Sequence, residues 1–211
     1  MNKEIYILGV GHCTPLTIEL AQACGYDVAG LYHYAPGRNG EEIYGTRILG
    51  THEELLSQDS LTGMNFALSM GDNDIRENLF NQISSRGGAF PSLIHPTCIV
   101  SSYSTIGEGC QLHAYCCIEP NSRIGNNSWI NSQSLICHNT SIGNNSFIAA
   151  QSTVGAYITI GSSVFVGLSS VLISAKVKNI GTKAVIGAGA VVNRNVEEGA
   201  VVVGNPAKRI K

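Results

Sequence analysis

Charge is scarce in this chain. Asp, Glu, Lys and Arg make up 13% of its 211 residues, about half the usual ~25%, and 13 basic residues against 15 acidic ones leave a net charge of −2. A balance so close to neutral presents no polycationic surface, which excludes nucleic acid as a partner. Long apolar runs are missing too. Nothing approaches the ~18 residues of a membrane-spanning helix, so no membrane insertion is expected. The opening MNKEIYILGVGH breaks its apolar stretch with glycines too early for a secretory leader, and the expected location is cytoplasmic. Seven cysteines, an odd number without a CxxC pair, read as free thiols in a reducing compartment rather than as a disulfide framework.

The remaining charge is unevenly spread. Residues 1–93 carry 16 charged side chains and residues 173–211 carry nine, but the 79 residues between them carry three: Glu108, Glu119 and Arg123. The same stretch repeats. From Ile94 through Val100, Ile106 and onward to Leu172, every sixth residue is Ile, Val or Leu, fourteen in succession. With apolar residues at 44%, such a run arises about once in 10⁵ trials. A period of six fits neither helix nor plain strand, but it fits short strands joined by regular turns, each strand placing one aliphatic inward. Gly107, Gly125, Gly143 and Gly161 recur at eighteen, so three six-residue units make one triangular coil of a β-solenoid. Asn126, Asn127, Asn144 and Asn145 recur likewise, and Asn and Gly are read as the residues that take left-handed backbone angles at the corners. The rhythm slips by two after Leu172 and resumes at Ile180, Ile186 and Val192, which places a bulge near Ser174–Asn179. Flat faces carrying Ser, Thr, Asn, Ala and Cys instead of Lys and Glu are expected to be covered. Packing of three identical prisms covers them, which points to a homotrimer.

Upstream, Glu4–Gly9 reads as a strand, Thr14–Cys24 as a helix and Asp27–Tyr32 as a second strand, a βαβ pattern. Thr51 followed by Glu54 signals a capping box. Asn65–Met70 reads as a strand, with a helix beginning at Asp72 or Asn73 and ending before Gly87. The expected organisation is therefore an α/β, Rossmann-like domain over residues 1–92 and the solenoid over residues 93–211.

The first turn, Gly9-Val10-Gly11-His12-Cys13-Thr14, half matches a dinucleotide fingerprint. Thr14 replaces the third glycine, and Leu31-Tyr32-His33-Tyr34 offers no carboxylate for a ribose, so NAD is not expected. Either the turn is empty or it takes a different nucleotide diphosphate at the helix N-terminus. Met70-Gly71-Asp72-Asn73 is a second turn of the same kind, and both can face one crevice beyond the strand ends. On the solenoid, His138 lies two residues after the inward Ile136 and points outward near a corner. It reads as a surface residue or as a base. His95 and His113, eighteen apart with Asn131 next in their column, stack on successive coils, but no His-x₃₋₅-His or Cys-His cluster accompanies them and no metal is expected. Cys98 and Cys116 stack likewise and read as small apolar fillers.

The stretch Ile160-Gly-Ser-Ser-Val-Phe-Val-Gly and the ending Val203-Gly-Asn-Pro-Ala-Lys-Arg209 resemble the hexapeptide-repeat, left-handed parallel β-helix of acyl-CoA-dependent transferases. The Gly-His turn, the Gly-Asp-Asn turn followed by Arg76, and Asn131-Ser132 and His138 before Ile142-Gly143 are similar to the sugar O-acyltransferase family. That family includes sialic acid O-acetyltransferases and bacterial nucleotide-sugar N-acetyltransferases. The resemblance implies His138 as general base, with Gly9, Gly11, His12, Gly71, Asp72 and Asn73 contacting a nucleotide sugar and Asn131 near the acceptor group. It also implies a trimer that binds acetyl-CoA between prisms, past Gly155, Ala156 and Gly167, with Gly187, Ala188, Lys208 and Arg209 toward the nucleotide end. The chain departs from this pattern in places. Asn139 stands where the residue after the catalytic histidine is commonly acidic, and Glu119, one coil below, is the candidate to replace that charge. Phe147 stands where a second histidine is often found.

The expected chemistry is direct transfer. Histidine titrates near neutrality, so His138 can take a proton from an attacking amine or hydroxyl and return it to the leaving thiolate. Main-chain N–H groups at Gly155 and Ala156 are the expected oxyanion donors. N-acetylation of an amino-sugar nucleotide is the leading reading, because a neutral amine is the better nucleophile. The rivals are a sugar O-acetyltransferase of the same fold, a non-catalytic trimeric scaffold that binds nucleotide sugars, and a zinc enzyme of the γ carbonic anhydrase type.

Overall fold

The computed structural model describes residues 3–211, which divide into two compact units meeting in sequence at Leu93 and Ile94. In the first, the chain runs through β1 (Glu4–Leu8), α1 (Thr14–Ala23), β2 (Asp27–His33), β3 (Glu42–Ile43), β4 (Thr46–Thr51), α2 (His52–Leu56), β5 (Phe66–Leu68) and α3 (Asn73–Ser84). Hydrogen bonding orders one sheet as β3-β4-β2-β1-β5, parallel except at the edge strand β3. Alternation along β1 explains the layers. Ile5 and Ile7 join Ile18 and Leu20 of α1 in one apolar cluster, while Tyr6 and Leu8 join Leu79 and Ile83 of α3 in another. The sheet is thus covered on both faces.

Local signals set the helix starts. Asp72 caps α3 by accepting from the Ile75 N–H at 2.9 Å. Thr51 and Glu54 close the capping box reciprocally, at 3.1 and 2.7 Å. The β3–β4 hairpin was not anticipated. Its two-residue turn needs positive φ at both centres, and Tyr44 (φ 50°) and Gly45 (φ 74°) supply it, so a tyrosine stands where Asn usually announces such a turn.

The second unit is a left-handed parallel β-helix. Up to Leu172 its strands are two residues long, and each pairs in parallel with strands eighteen residues away on the same face. Leu135–Ile136, for example, lies between Cys117–Ile118 and Thr153–Val154. The six-step aliphatics from Leu112 to Leu172 are at most 3% exposed and line one core. The anticipated slip is real. Thr159 pairs with Asn179, an offset of twenty, so two extra residues enter the turn after Leu172. A compensating slip, missed in the sequence, follows: Val185 pairs with Val201 at sixteen.

The corner chemistry differs from the sequence expectation. Gly107, Gly125, Gly143 and Gly161 do not adopt positive φ; the left-handed residues stand two positions later, as Gly109, Asn127, Asn145 and Ser163. Elsewhere Tyr115, Gln133, Tyr157 and Ala175 take that conformation, so the corners are not reserved for Asn and Gly. Cys98 and Cys116 are not mere fillers. Their thiols donate to the carbonyls of His113 (3.0 Å) and Asn131 (3.1 Å), the job done at equivalent positions by Ser122, Ser134 and Ser152 hydroxyls toward Cys137, Ala149 and Gly167. Each corner carbonyl thereby gains a donor from the coil fifteen residues earlier, which matters because unpaired buried polar groups are costly.

His113 is buried, and its Nε2 has no hydrogen-bond partner. Burial, with His95 adding positive charge nearby, pushes its pKa down to about 4. Between that value and the unfolded pKa of ~6.5, the unfolded chain binds more protons. The stability this neutral ring contributes is therefore complete above pH 6.5 and is lost as pH falls toward 4. The expected loss is about 3 kcal/mol. Urea unfolding of wild type and His113→Phe at pH 7.5 and 4.5 tests this: the wild type loses more stability on acidification than the variant does, and equal losses would contradict the assignment.

Candidate active site

The turn after Leu135–Ile136 places an exposed histidine at a corner of the helix. The His138 main-chain N–H donates to Glu119 Oε2 at 2.8 Å, nineteen residues earlier, and Asn139, at φ 59°, turns its Oδ1 to within 2.9 Å of His138 Nδ1. An amide oxygen only accepts, so Nδ1 carries the proton and the neutral ring keeps its lone pair at Nε2. That is the tautomer a base requires. Tyr157, one coil on, packs edge-on against the imidazole at a centroid distance of 5.3 Å and an interplanar angle of 88°. The carboxylate of Glu119 thus fixes the main chain of His138, while the ring's partner is Asn139. The charge replacement expected of Glu119 is not the contact it makes. Its field falls instead on Cys117 and Cys137, whose thiols burial and Glu119 together push up.

His138 opens onto a cavity of about 620 Å³ lined also by Ala156, Tyr157, Thr159, Ser174, Ala175, Val177, Lys178 and Asn179. The two-residue insertion after Leu172 therefore builds the wall facing the histidine. Neither expected oxyanion donor is free. The Gly155 N–H is spent on Leu172 O at 3.0 Å, and the Ala156 N–H donates to Ser174 Oγ at 2.8 Å.

The other expected cofactor contacts lie elsewhere on the prism. Gly155 and Ala156 share the edge of His138, whereas Gly167, Gly187 and Ala188 stack on a different edge, following the strands Phe165–Val166 and Val185–Ile186. Asn131 belongs to that second edge, following Trp129–Ile130. Lys208 and Arg209 sit on the last strand, which pairs antiparallel with Val201–Val203. They line a cavity of about 250 Å³ with Glu197, and Arg209 is ion-paired to Glu197.

In the N-terminal unit both glycine turns line one cavity of about 360 Å³. Its wall includes Gly9, Gly11, His12, Cys13, Tyr34, His52, Ser69, Met70 and Gly71. Gly9 is required there: its φ is 97°, and a Cβ would meet Met70 Cε at 2.9 Å. Thr14, in place of the third fingerprint glycine, ties the turn by accepting from the Gly11 N–H at 2.8 Å. Asp72 and Asn73 begin α3 beside the cavity, Asp72 as the helix cap. The sequence reading missed His52 and Tyr34. The capping box makes His52 the first residue of α2, but without β4 in view its direction was illegible. Its Nε2 donates to Tyr32 O at 3.1 Å, and burial pushes its pKa down, so at neutral pH Nδ1 retains a lone pair. Tyr34 is 74% exposed and packs against His33 with ring centroids 4.3 Å apart and the planes tilted by 36°.

Among the described residues no group of three or more His, Cys, Asp or Glu side chains could hold a metal ion, and no helix is long and apolar enough to cross a membrane. A family model, bacterial transferase hexapeptide (six repeats), matches residues 121–156. No curated protein matches the chain in sequence. Among solved structures, a variant of perosamine N-acetyltransferase from Caulobacter crescentus, in complex with CoA and GDP-perosamine, is 26% identical. That match covers 99% of this chain and 97% of the other, with a TM-score of 0.90. The acetyltransferase domain of PglB from Neisseria gonorrhoeae, in complex with acetyl coenzyme A, is 24% identical over 100% of both chains, with a TM-score of 0.88. WeeI from Acinetobacter baumannii is 23% identical over 98% of this chain and 99% of that one, with a TM-score of 0.87. With its hexapeptide coils and these relatives, the chain is an acyltransferase.

Proposed function

We propose that the protein transfers an acetyl group from acetyl-CoA to the amine of a nucleotide-linked amino sugar, with His138 as general base. The observation that carries this reading is the His138–Asn139 pair: an imidazole whose Nδ1 is held by an amide oxygen and which lines the cavity beside Ala156 and Ser174. The amine nitrogen attacks the thioester carbonyl carbon as Nε2 takes its proton. The carbonyl π pair moves to oxygen, and on collapse the C–S bond breaks with its electrons on sulfur, which His138 protonates. Coenzyme A leaves as the thiol and the sugar as the amide.

The cavity beneath Gly9 and Gly71 is assigned to the nucleotide, making the N-terminal unit a Rossmann-like nucleotide-sugar-binding domain. The cavity lies at the N-terminal end of α1, whose dipole favours a diphosphate there. The perosamine N-acetyltransferase, with CoA and GDP-perosamine bound, motivates this choice of substrates. The assembly proposed is a homotrimer. Residues 155–156 and residues 167 and 187–188 occupy different edges of one prism, so one acetyl-CoA reaches both sets only when a second copy brings its own edge alongside the first.

The test is a panel of UDP-, GDP-, dTDP- and CMP-linked amino sugars, read by thermal stabilisation and by thiol release from acetyl-CoA. One member is expected to raise the unfolding temperature and to release thiol in step with amide formation. Stabilisation without thiol release indicates a binding scaffold, an ester product indicates O-acetylation, and no response to any amino-sugar nucleotide overturns the reading.

A further inference from the structure

The hydroxyl of Ser174 occupies the place where an oxyanion would sit. A transition-state oxygen held by the Ala156 N–H would lie 2.7–3.1 Å from that nitrogen, and Ser174 Oγ is 2.8 Å from it. Ser174 stands eighteen residues after Ala156, in the same register by which the Asn144 Oδ1 accepts from the Asn126 N–H, and it lines the same cavity as His138. Gly155 clears the way: a Cβ there would meet Ser174 Oγ at 2.5 Å and Ser174 N at 2.6 Å. Ser174 is exposed to the cavity, and because its oxygen accepts from Ala156, its own proton remains available to an acceptor in the cavity.

We propose that Ser174 is a catalytic residue, its O–H being the donor that meets the oxyanion of the tetrahedral intermediate, polarised from behind by the Ala156 N–H. The chain N–H···O–H···O⁻ carries the main-chain dipole to the reacting oxygen through one hydroxyl, and successive hydrogen bonds in such a chain strengthen one another. The hydroxyl donates without transferring its proton, so the bond-making and bond-breaking described above are unchanged. This inference rests on the acetyl-transfer reading with His138 as base.

Ser174→Ala separates it from the alternative in which Ser174 only caps a corner. A donor role predicts a fall in kcat of about 10²–10³, with KM for acetyl-CoA changed less than about twofold and with Ser174→Thr, which keeps the hydroxyl, restoring most of the loss. A capping role predicts the reverse, since removing the hydroxyl uncovers the Ala156 N–H; an unchanged or higher kcat, or an effect confined to KM, overturns the proposal. His138→Ala is measured alongside. If it retains wild-type kcat, the assignment of His138 as general base has failed; if it is inactive while Ser174→Ala is not, only the role of Ser174 has failed.

Discussion

His138→Ala is expected to lower kcat for acetyl transfer by about 10²–10⁴, the largest loss of any single substitution in the site, with KM for acetyl-CoA little changed. The imidazole is exposed at a corner and contributes no core contact, so its removal spares folding, and an unchanged thermal unfolding temperature is part of the prediction. Asn139→Ala tests the reason this histidine is a competent base. Without Oδ1 at 2.9 Å the ring exchanges between tautomers and turns more freely, and kcat is expected to fall roughly tenfold, well short of His138→Ala. An amide in this role orients the ring as the acidic residue would, but adds no charge to stabilise the imidazolium. Glu119→Gln keeps an oxygen acceptor for the His138 N–H and is expected to leave kcat within about threefold, because the bond it makes is to the main chain. A loss from Glu119→Gln as large as that from His138→Ala would mean that the carboxylate acts on the ring after all.

The solenoid was legible because its period is imposed by geometry: each six-residue unit must return one aliphatic to the same axis, and from Leu112 to Leu172 every one of them does. The site was only partly legible. Six-residue arithmetic places a residue on a strand or in a turn, but which edge it occupies depends on its remainder within eighteen. Residues 131 and 167 share a remainder that 138 and 156 do not, so counting in eighteens separates the two edges to which the expected cofactor contacts belong. The glycine row was read for its backbone freedom because Asn accompanies it. Asn127 and Asn145 are indeed left-handed, but Asn126 and Asn144 serve otherwise, the Asn144 Oδ1 accepting from the Asn126 N–H one coil away at 2.9 Å. That Ser174 covers the Ala156 N–H follows the same count, since the two stand eighteen apart as Asn126 and Asn144 do.

The glycine row also gives the largest expected effect on stability. Gly143→Ala is expected to destabilise the chain by more than about 3 kcal/mol, beyond the ordinary cost of overpacking. A Cβ there would lie 2.6 Å from Gly161 C, 2.6 Å from Ser162 N and 2.7 Å from Gly161 O. All three are main-chain atoms, so no rotamer change relieves the contact. The next coil cannot withdraw alone, because the Gly143 N–H donates to Ile160 O at 2.9 Å and Ser146 Oγ donates to Gly161 O at 3.0 Å. Separating the coils breaks both bonds, and the stretched main chain meets no other partners in the stack. Two other glycines isolate the cause. Gly189 has φ 67° and nothing within 4 Å of a Cβ, so alanine there meets only the left-handed penalty of about 1–2 kcal/mol. Gly11 has neither constraint, and alanine there is expected to stay within about 0.5 kcal/mol, like other exposed substitutions. Urea unfolding of the three variants should therefore rank Gly143→Ala far below Gly189→Ala and Gly189→Ala below Gly11→Ala. If Gly143→Ala matched Gly189→Ala, backbone freedom and not the spacing of the coils would be what the eighteen-residue glycines supply.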